Sequence, residues 1–138
     1  MKTFSTKNLK QSVTFNALPK EVYEMLMDSK KHAKFTGAKA KISQKEGGKF
    51  TAWDGYIDGT NIKLVTGKKI LQLWRSDEKD WPADHYSRAT FSFKNGKKKG
   101  TTLLSFSQTG IPSKVFADIK QGWKDYYWTP MKEMISKK

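Results

Sequence analysis

Residues 111–135 read IPSKVFADIKQGWKDYYWTPMKEMI. Phe116, Ile119, Trp123, Tyr127, Pro130 and Met134 recur every three or four positions, the spacing of one face of an α-helix. The stretch predicts a long C-terminal helix whose aromatic face must be covered by the rest of the chain. Tyr126, Tyr127 and Trp128 are adjacent and cannot all face one side, so at least one is expected at the surface or at the rim of a pocket. Pro130 has no N–H to donate to the Tyr126 carbonyl, and its ring crowds that carbonyl, which predicts a kink between Tyr126 and Pro130. The helix is therefore expected in two pieces: Val115 to Trp123 closing the core, and a bent end from Met131 onward that gates a cavity or meets a partner.

The preceding residues supply the cover. Leu9, Gln11, Val13 and Phe15 alternate with Lys10, Ser12 and Thr14 as in a half-buried strand. Pro19 at a first helical position, Glu21 near the positive end, and Val22, Met25 and Leu26 on one side predict a short helix ending near Asp28. Ser29 to Phe35 adds a second small helix closed by Gly37. From Ala38 the pattern changes to strands: Ala38 to Ser43, Lys49 to Ala52, Tyr56 to Leu64, Lys69 to Arg75, Ser87 to Lys94 and Thr101 to Thr109. The turns between them are Glu46-Gly47-Gly48, Asp54-Gly55, Thr66-Gly67, the Asp77 to Pro82 loop and Asn95-Gly96. Such short connections predict an antiparallel meander. Ala89, Phe91, Phe93, Leu104 and Phe106 share its inward face, whereas Ile70-Leu71-Gln72-Leu73-Trp74 is compatible with burying either face. Gly47, Gly48 and Gly55 fit turns with positive φ, and Gly59 within a strand marks a bulge or a close helix approach.

The order β-α-α-β(6)-α describes an α+β domain over residues 1–138, a curved antiparallel sheet wrapped around its C-terminal helix. A curved sheet and a cylinder do not meet everywhere, so a pocket between them is expected.

Composition narrows the function. Hydrophobic residues are only 36% of the 138, but eight Phe, five Trp and five Tyr provide large pieces for one core. The net charge of +14 comes from dispersed lysines, including Lys30, Lys31, Lys34, Lys39, Lys41, Lys45, Lys49, Lys97 to Lys99, Lys137 and Lys138, with only Arg75 and Arg88 as arginines. Guanidinium is the group suited to bidentate recognition of phosphate and guanine, so specific nucleic-acid binding is not expected. Long-range attraction to acidic partners is. With no cysteine, no apolar leader core in Met1 to Lys10 and no membrane-spanning run, the expectation is a cytoplasmic protein without disulfides or a transmembrane segment.

Several motifs occur together and in order: Glu46-Gly47-Gly48-Lys49-Phe50, Trp53 to Gly59 (WDGYIDG), Lys69 to Arg75 (KILQLWR), Trp81 to Ser87 (WPADHYS), Gly100-Thr101, Gln108 to Pro112 (QTGIP) and Gly122 to Tyr127 (GWKDYY). Across nearly the whole chain this set resembles the domain shared by activators of the heat-shock protein 90 ATPase, within the helix-grip, START-like (Bet v-like) superfamily. The resemblance implies the same β-α-α-β-meander-α fold. It also implies a non-enzymatic module, since in the eukaryotic co-chaperones this domain is the C-terminal half and contacts the chaperone's ATPase domain. The N-terminal domain those proteins also carry has no counterpart here, which separates chaperone binding from ATPase stimulation. Related helix-grip folds hold lipids or other apolar molecules.

Three functions follow as expectations. The first is a module that binds heat-shock protein 90 or another acidic protein, with Arg75, Trp81, His85, Lys97, Lys98 and Lys99 as partner-surface candidates; Arg75 is alternatively paired with Asp77, Glu78 or Asp80. The second is a carrier of an apolar small molecule or lipid, its cavity lined by Phe50, Trp74, Phe91, Phe106, Trp123 and Tyr127; for Trp74 and Trp123 the alternative is plain core packing. The third is a cavity enzyme, for which the sequence offers no catalytic constellation: His32 and His85 are the only histidines and lie far apart, and no nucleophile motif accompanies them. Scattered carboxylates and two isolated histidines predict no metal site and no cofactor.

Overall fold

A computed structural model describes residues 4–137; Lys138, counted above among the cations, lies outside them. The elements are β1 (Thr6–Phe15), α1 (Pro19–Met27), α2 (Ser29–Thr36), β2 (Lys41–Ile42), β3 (Lys49–Ala52), β4 (Ile57–Val65), β5 (Lys69–Ser76), β6 (Ser87–Asn95), β7 (Thr102–Pro112), α3 (Phe116–Trp123), a π-helical turn (Lys124–Trp128) and α4 (Thr129–Ser136). All seven strands form one antiparallel sheet in the order β1-β7-β6-β5-β4-β3-β2. The meander expected from the turns is present, and β1 returns to pair with the last strand.

Local chemistry explains the elements. Pro19 opens α1, and the Asp28 carboxylate accepts the Lys31 N–H at the start of α2, which stops at Gly37 in the left-handed conformation. Only Lys41–Ile42 of the expected strand at Ala38 to Ser43 pairs with β3. At its N-terminal end the reason is that a side chain claims the backbone donor: Lys39 N–H donates to Asp54 Oδ1.

The inward face is set by cross-strand register. Phe91 stands opposite Phe106, and Phe93 opposite Leu104. The expected inward residues Ala89, Phe91, Phe93, Leu104 and Phe106 are all at most 5% exposed. In β5 the open choice is decided by pairing Ile70 with Phe91 and Trp74 with Ser87, which turns Ile70, Gln72, Trp74 and Ser76 inward. Gln72 is thereby buried, and it donates to Asn61 Oδ1, whose own amide donates to the Ser43 and Lys45 carbonyls. A buried polar pair bonded in this way avoids an unsatisfied-group penalty.

Two glycine readings are corrected. Gly48 is needed because a Cβ there would run into the Ser43 side chain, and its φ is not positive. At Gly59 neither a helix nor a bulge is involved, the register shift of this strand pair falling between Asn61 and Lys63. A Cβ would strike the Leu73 carbonyl of β5 and come within 2.6 Å of the Phe50 ring. Gly59→Ala is therefore expected to destabilise the fold by roughly 2 kcal/mol through overpacking, read as a lower urea midpoint at unchanged slope.

The C-terminal helix differs from expectation in an informative way. Backbone angles at Lys124 (φ −69°, ψ −51°) and Thr129 (φ −66°, ψ −51°) are helical, so α3, the π-turn and α4 are continuous. Thr129 donates to the Lys124 carbonyl, five residues back. The irregularity sits where Pro130 demanded one, but it takes the form of a widened turn. The extra residue rotates the buried face, so Trp128 and Met131 follow Tyr127 inward, while Pro130 and Met134 are only partly covered. Tyr126 is the member of the aromatic triplet left outside, 57% exposed. Met131 is fully buried and anchors the start of the final segment, while Lys132, Glu133, Ser136 and Lys137 beyond it are exposed.

Candidate functional site

The six expected cavity residues do meet between sheet and helix, and they fill the space. Trp123 is the centre, with ring centroids 4.4 Å from Phe106, 4.6 Å from Tyr127 and 5.5 Å from Trp74. Phe50, Trp74, Phe91, Trp123 and Tyr127 line a residual void of about 20 Å³; Phe106 packs behind Trp123 and Phe91. Such a void holds no more than one water molecule. Trp74, Trp123 and Tyr127 also border a larger groove, so the space between sheet and helix is filled at its centre and open at the end of β5.

The same region contains a polar chain that sequence reasoning did not single out. Trp123 Nε1 donates to Gln108 Oε1 at 2.8 Å, Gln108 Nε2 to Ser87 Oγ at 2.9 Å, and Ser87 Oγ to the Trp74 carbonyl at 2.8 Å. Gln108 is fully buried. The signal was available: Leu104, Phe106 and Gln108 alternate along one strand, so the inward assignment of the first two carries the third. Nearby, His32 is buried against Phe35 and Tyr127, and its Nδ1 has no hydrogen-bond partner. Burial lowers its pKa to about 4, so it is neutral at pH 7. Burial likewise pushes the Tyr127 phenol well above its ordinary value, opposed in part by a hydrogen bond with the Trp53 side chain.

The partner-surface candidates separate. Trp81 is not at the surface: it is 5% exposed, packs on Trp74 and donates Nε1–H to the His85 carbonyl. His85 is partly buried and clamps the loop between β5 and β6 to β7, its Nε2–H donating to the Gly110 carbonyl at 2.6 Å. The WPADH segment is thus a loop lock, because both indole and imidazole are spent on backbone carbonyls. Arg75 is largely buried, its side chain 12% exposed, beside Asp58 (3.6 Å) and Asp77 (3.9 Å), so of the carboxylates expected to pair with it only Asp77 does, and Asp58 adds a nearer one. Lys97, Lys98 and Lys99 are exposed at the tip of the β6–β7 hairpin.

Two recesses flank the turn after β3. Trp53 and Asp54 there hold positive φ of 54° and 58°, a costly conformation for residues with side chains. It is held by a reciprocal pair of bonds, Asp54 N–H to the Lys39 carbonyl and Lys39 N–H to Asp54 Oδ1. On one side lies a shallow depression of about 720 Å³ bordered by Lys30, Lys39 and Lys41 together with Asp54. On the other lies an open groove of about 700 Å³ between this turn, the end of β5 and the edge of α3 and the π-turn, where buried Ile119, Trp123 and Tyr127 meet exposed Asp118, Asp125 and Tyr126. Its lining includes Trp53, Tyr56, Trp123 and Tyr126, with the carboxylates of Glu78, Asp118 and Asp125. These acidic residues were invisible as a group because they lie on a loop and on the outer helix face, far apart in sequence. Among the described residues no helix is long and apolar enough to cross a membrane.

This architecture can be compared with known proteins. The family model described as "Activator of Hsp90 ATPase homolog 1-like protein" matches residues 16–136. The chain belongs to this family. Among its relatives, "Activator of 90 kDa heat shock protein ATPase homolog" of Dictyostelium discoideum is 35% identical over 120 residues, covering 87% of this chain and 30% of that protein. The human "Activator of 90 kDa heat shock protein ATPase homolog 1" is 34% identical over 120 residues, covering 87% and 34%. This chain thus spans about a third of the length of these curated relatives. Among solved structures, an HSP90 activator from Plasmodium falciparum superposes with a TM-score of 0.85 at 22% identity, covering 94% of this chain and 96% of that one. The Aha1 dimer from Colwellia psychrerythraea gives 0.76 at 14% identity, covering 94% and 96%. These structural likenesses establish the helix-grip fold of the family in this chain.

Proposed function

We propose that this chain is a non-enzymatic, co-chaperone-like binding module that engages an acidic protein of the heat-shock protein 90 type through its exterior. The observation that carries the reading is the packed centre with its charge outside: only about 20 Å³ is left among Phe50, Phe91, Trp123 and Tyr127, and the lysines lie on the exterior. Membership of the activator family supplies the kind of partner, and a net charge of +14 supplies the attraction. The two lysine groups best displayed for contact are Lys97, Lys98 and Lys99 on the β6–β7 hairpin and Lys30, Lys39 and Lys41 around the basic depression. The chain matches about a third of its relatives' length, and what is proposed for it is partner binding by this domain.

Calorimetry with the purified chaperone tests it. Binding is expected to weaken about tenfold or more between about 0.05 M and 0.5 M salt, as screening shortens the reach of the lysine charges. Charge reversal of either lysine group to Glu is expected to weaken binding at low salt, with the difference shrinking at high salt. No binding at low salt, or binding indifferent to both triple variants, contradicts the reading.

A further inference from the structure

The groove on the acidic side of the Trp53 turn has a chemistry opposite to that of the whole molecule. The chain has 27 Lys and Arg against 13 Asp and Glu, yet the charged residues lining this groove are Glu78, Asp118 and Asp125, all acidic. Among the described residues none of the three is in an ion pair. Glu78 Oε2 accepts only neutral donors, Tyr56 Oη at 3.2 Å and Ser76 Oγ at 3.1 Å, and Asp125 Oδ1 accepts Gln121 Nε2 at 3.0 Å. Nor do these carboxylates gather with others into a group that would hold a metal ion. They form a dispersed negative rim.

Beneath that rim the walls are aromatic. Trp53 meets Tyr126 edge to face at 5.5 Å, and Trp74 and Trp123 form part of the floor. Tyr56 and Tyr126 are two of the most exposed aromatic residues in the described chain, 44% and 57%, and both border this one groove. Each long wall contains a backbone irregularity that aims a ring into it: the left-handed Trp53-Asp54 pair on one side and the π-turn carrying Tyr126 on the other. Single π-turns are frequent at binding sites because they redirect side chains without ending the helix. The volume of about 700 Å³ suits a small molecule. Aromatic faces together with uncompensated carboxylates favour a positive charge on an apolar body, since the ring quadrupole and the carboxylates act with the same sign.

We propose that this groove binds a small organic cation, an ammonium-bearing molecule with an aromatic or alkyl body, which lies against the paired Trp53 and Tyr126 rings with its charge toward Glu78, Asp118 and Asp125. The proposal is independent of chaperone binding, which was assigned to lysines elsewhere. A protein of such high positive charge would by its overall field repel this ligand and attract an anion, so the sign of selectivity is a sharp test.

Phenethyltrimethylammonium, phenethyl alcohol and phenylpropionate are titrated into the intact chain by calorimetry, with NMR shift mapping on the indole and phenol signals. The cation is expected to bind in the submillimolar range, roughly tenfold tighter than the neutral alcohol, with phenylpropionate weakest. Shifts are expected at Trp53 and Tyr126, and Glu78→Gln and Tyr126→Ala are each expected to weaken the cation about fivefold or more while circular dichroism stays unchanged. The Lys97, Lys98 and Lys99 charge-reversal variant leaves cation binding at least as tight. No binding of the cation at millimolar concentration, equal or tighter binding of phenylpropionate, shifts mapping elsewhere, or insensitivity to both groove variants overturns the proposal.

Discussion

Trp123→Ala is expected to lower stability by about 5 kcal/mol, at the low end of the total for a domain of this size, so that a large fraction of the protein unfolds at room temperature. Two losses add. Removing a buried indole typically costs about 3–5 kcal/mol in transfer and cavity terms, and Trp123 touches Trp74, Phe91, Phe106, Tyr127 and Trp128 at once, so the site has no small neighbour able to collapse into the space. The second loss is the hydrogen bond to Gln108 Oε1, which leaves a fully buried carbonyl unpaired at about 1–3 kcal/mol. Trp123→Phe separates them: most ring contact remains and the N–H does not, so roughly half the loss is expected. Urea titration of the three proteins measures this, and a Trp123→Ala protein with wild-type midpoint would contradict the central place given to this residue. Since Gln108 leads on to Ser87 and the Trp74 carbonyl, Gln108→Leu paired with Trp123→Phe is expected to recover part of the loss, because replacing both partners removes the unpaired group.

The second large effect is a dependence on pH carried by His32. Its folded pKa is lowered to about 4 from the ordinary 6.5 because the ring is buried and the charged form has lost its water. Below the ordinary value the unfolded chain takes up a proton that the folded chain refuses. Stability therefore falls as pH drops through 6.5, and the loss stops growing once pH passes below the folded value. The shift corresponds to a loss of about 2 kcal/mol by about pH 5 and about 3 kcal/mol below about pH 4. Asp and Glu titrations overlap the lower part of this window, so the contribution is isolated as the difference from His32→Leu, which keeps the apolar packing against Phe35 and Tyr127 and removes the proton. The stability of the wild type relative to His32→Leu is expected to fall by about 3 kcal/mol as pH drops from neutral to about 4 and then to stay level; parallel curves would show that His32 is not the group responsible.

These residues also show how much of the molecule was legible beforehand. Strands at Lys49 to Ala52 and Ser87 to Lys94, the two short helices and the C-terminal helix follow from local periodicity, capping and turn chemistry, which act over a few residues and are written in neighbouring letters. The inward side chains Phe91, Phe93, Leu104 and Phe106, the rings among them, follow for the same reason. Whether those rings enclose a ligand or fill the space is a different matter. It depends on the distance between sheet and helix and on the joint volume of side chains from β3, β5, β6, β7 and the helix, which no window of sequence contains. Trp81 illustrates the limit: its motif was evident, but the choice between a surface and an interior position depended on Trp74 and the His85 carbonyl.

The sequence by itself determined the helix-grip architecture, the family and the excess of positive charge, because each is carried by local pattern, by ordered motifs or by counting. Tertiary structure alone decided that Pro130 is absorbed by a π-turn and not a break, that Gln72 belongs to the core, and that Glu78, Asp118 and Asp125 line one groove. The physical reason is common to all three. A missing backbone donor can be accommodated in more than one way, an amide can face water or a buried partner, and charges distant along the chain become one electrostatic surface only when packing brings their elements side by side.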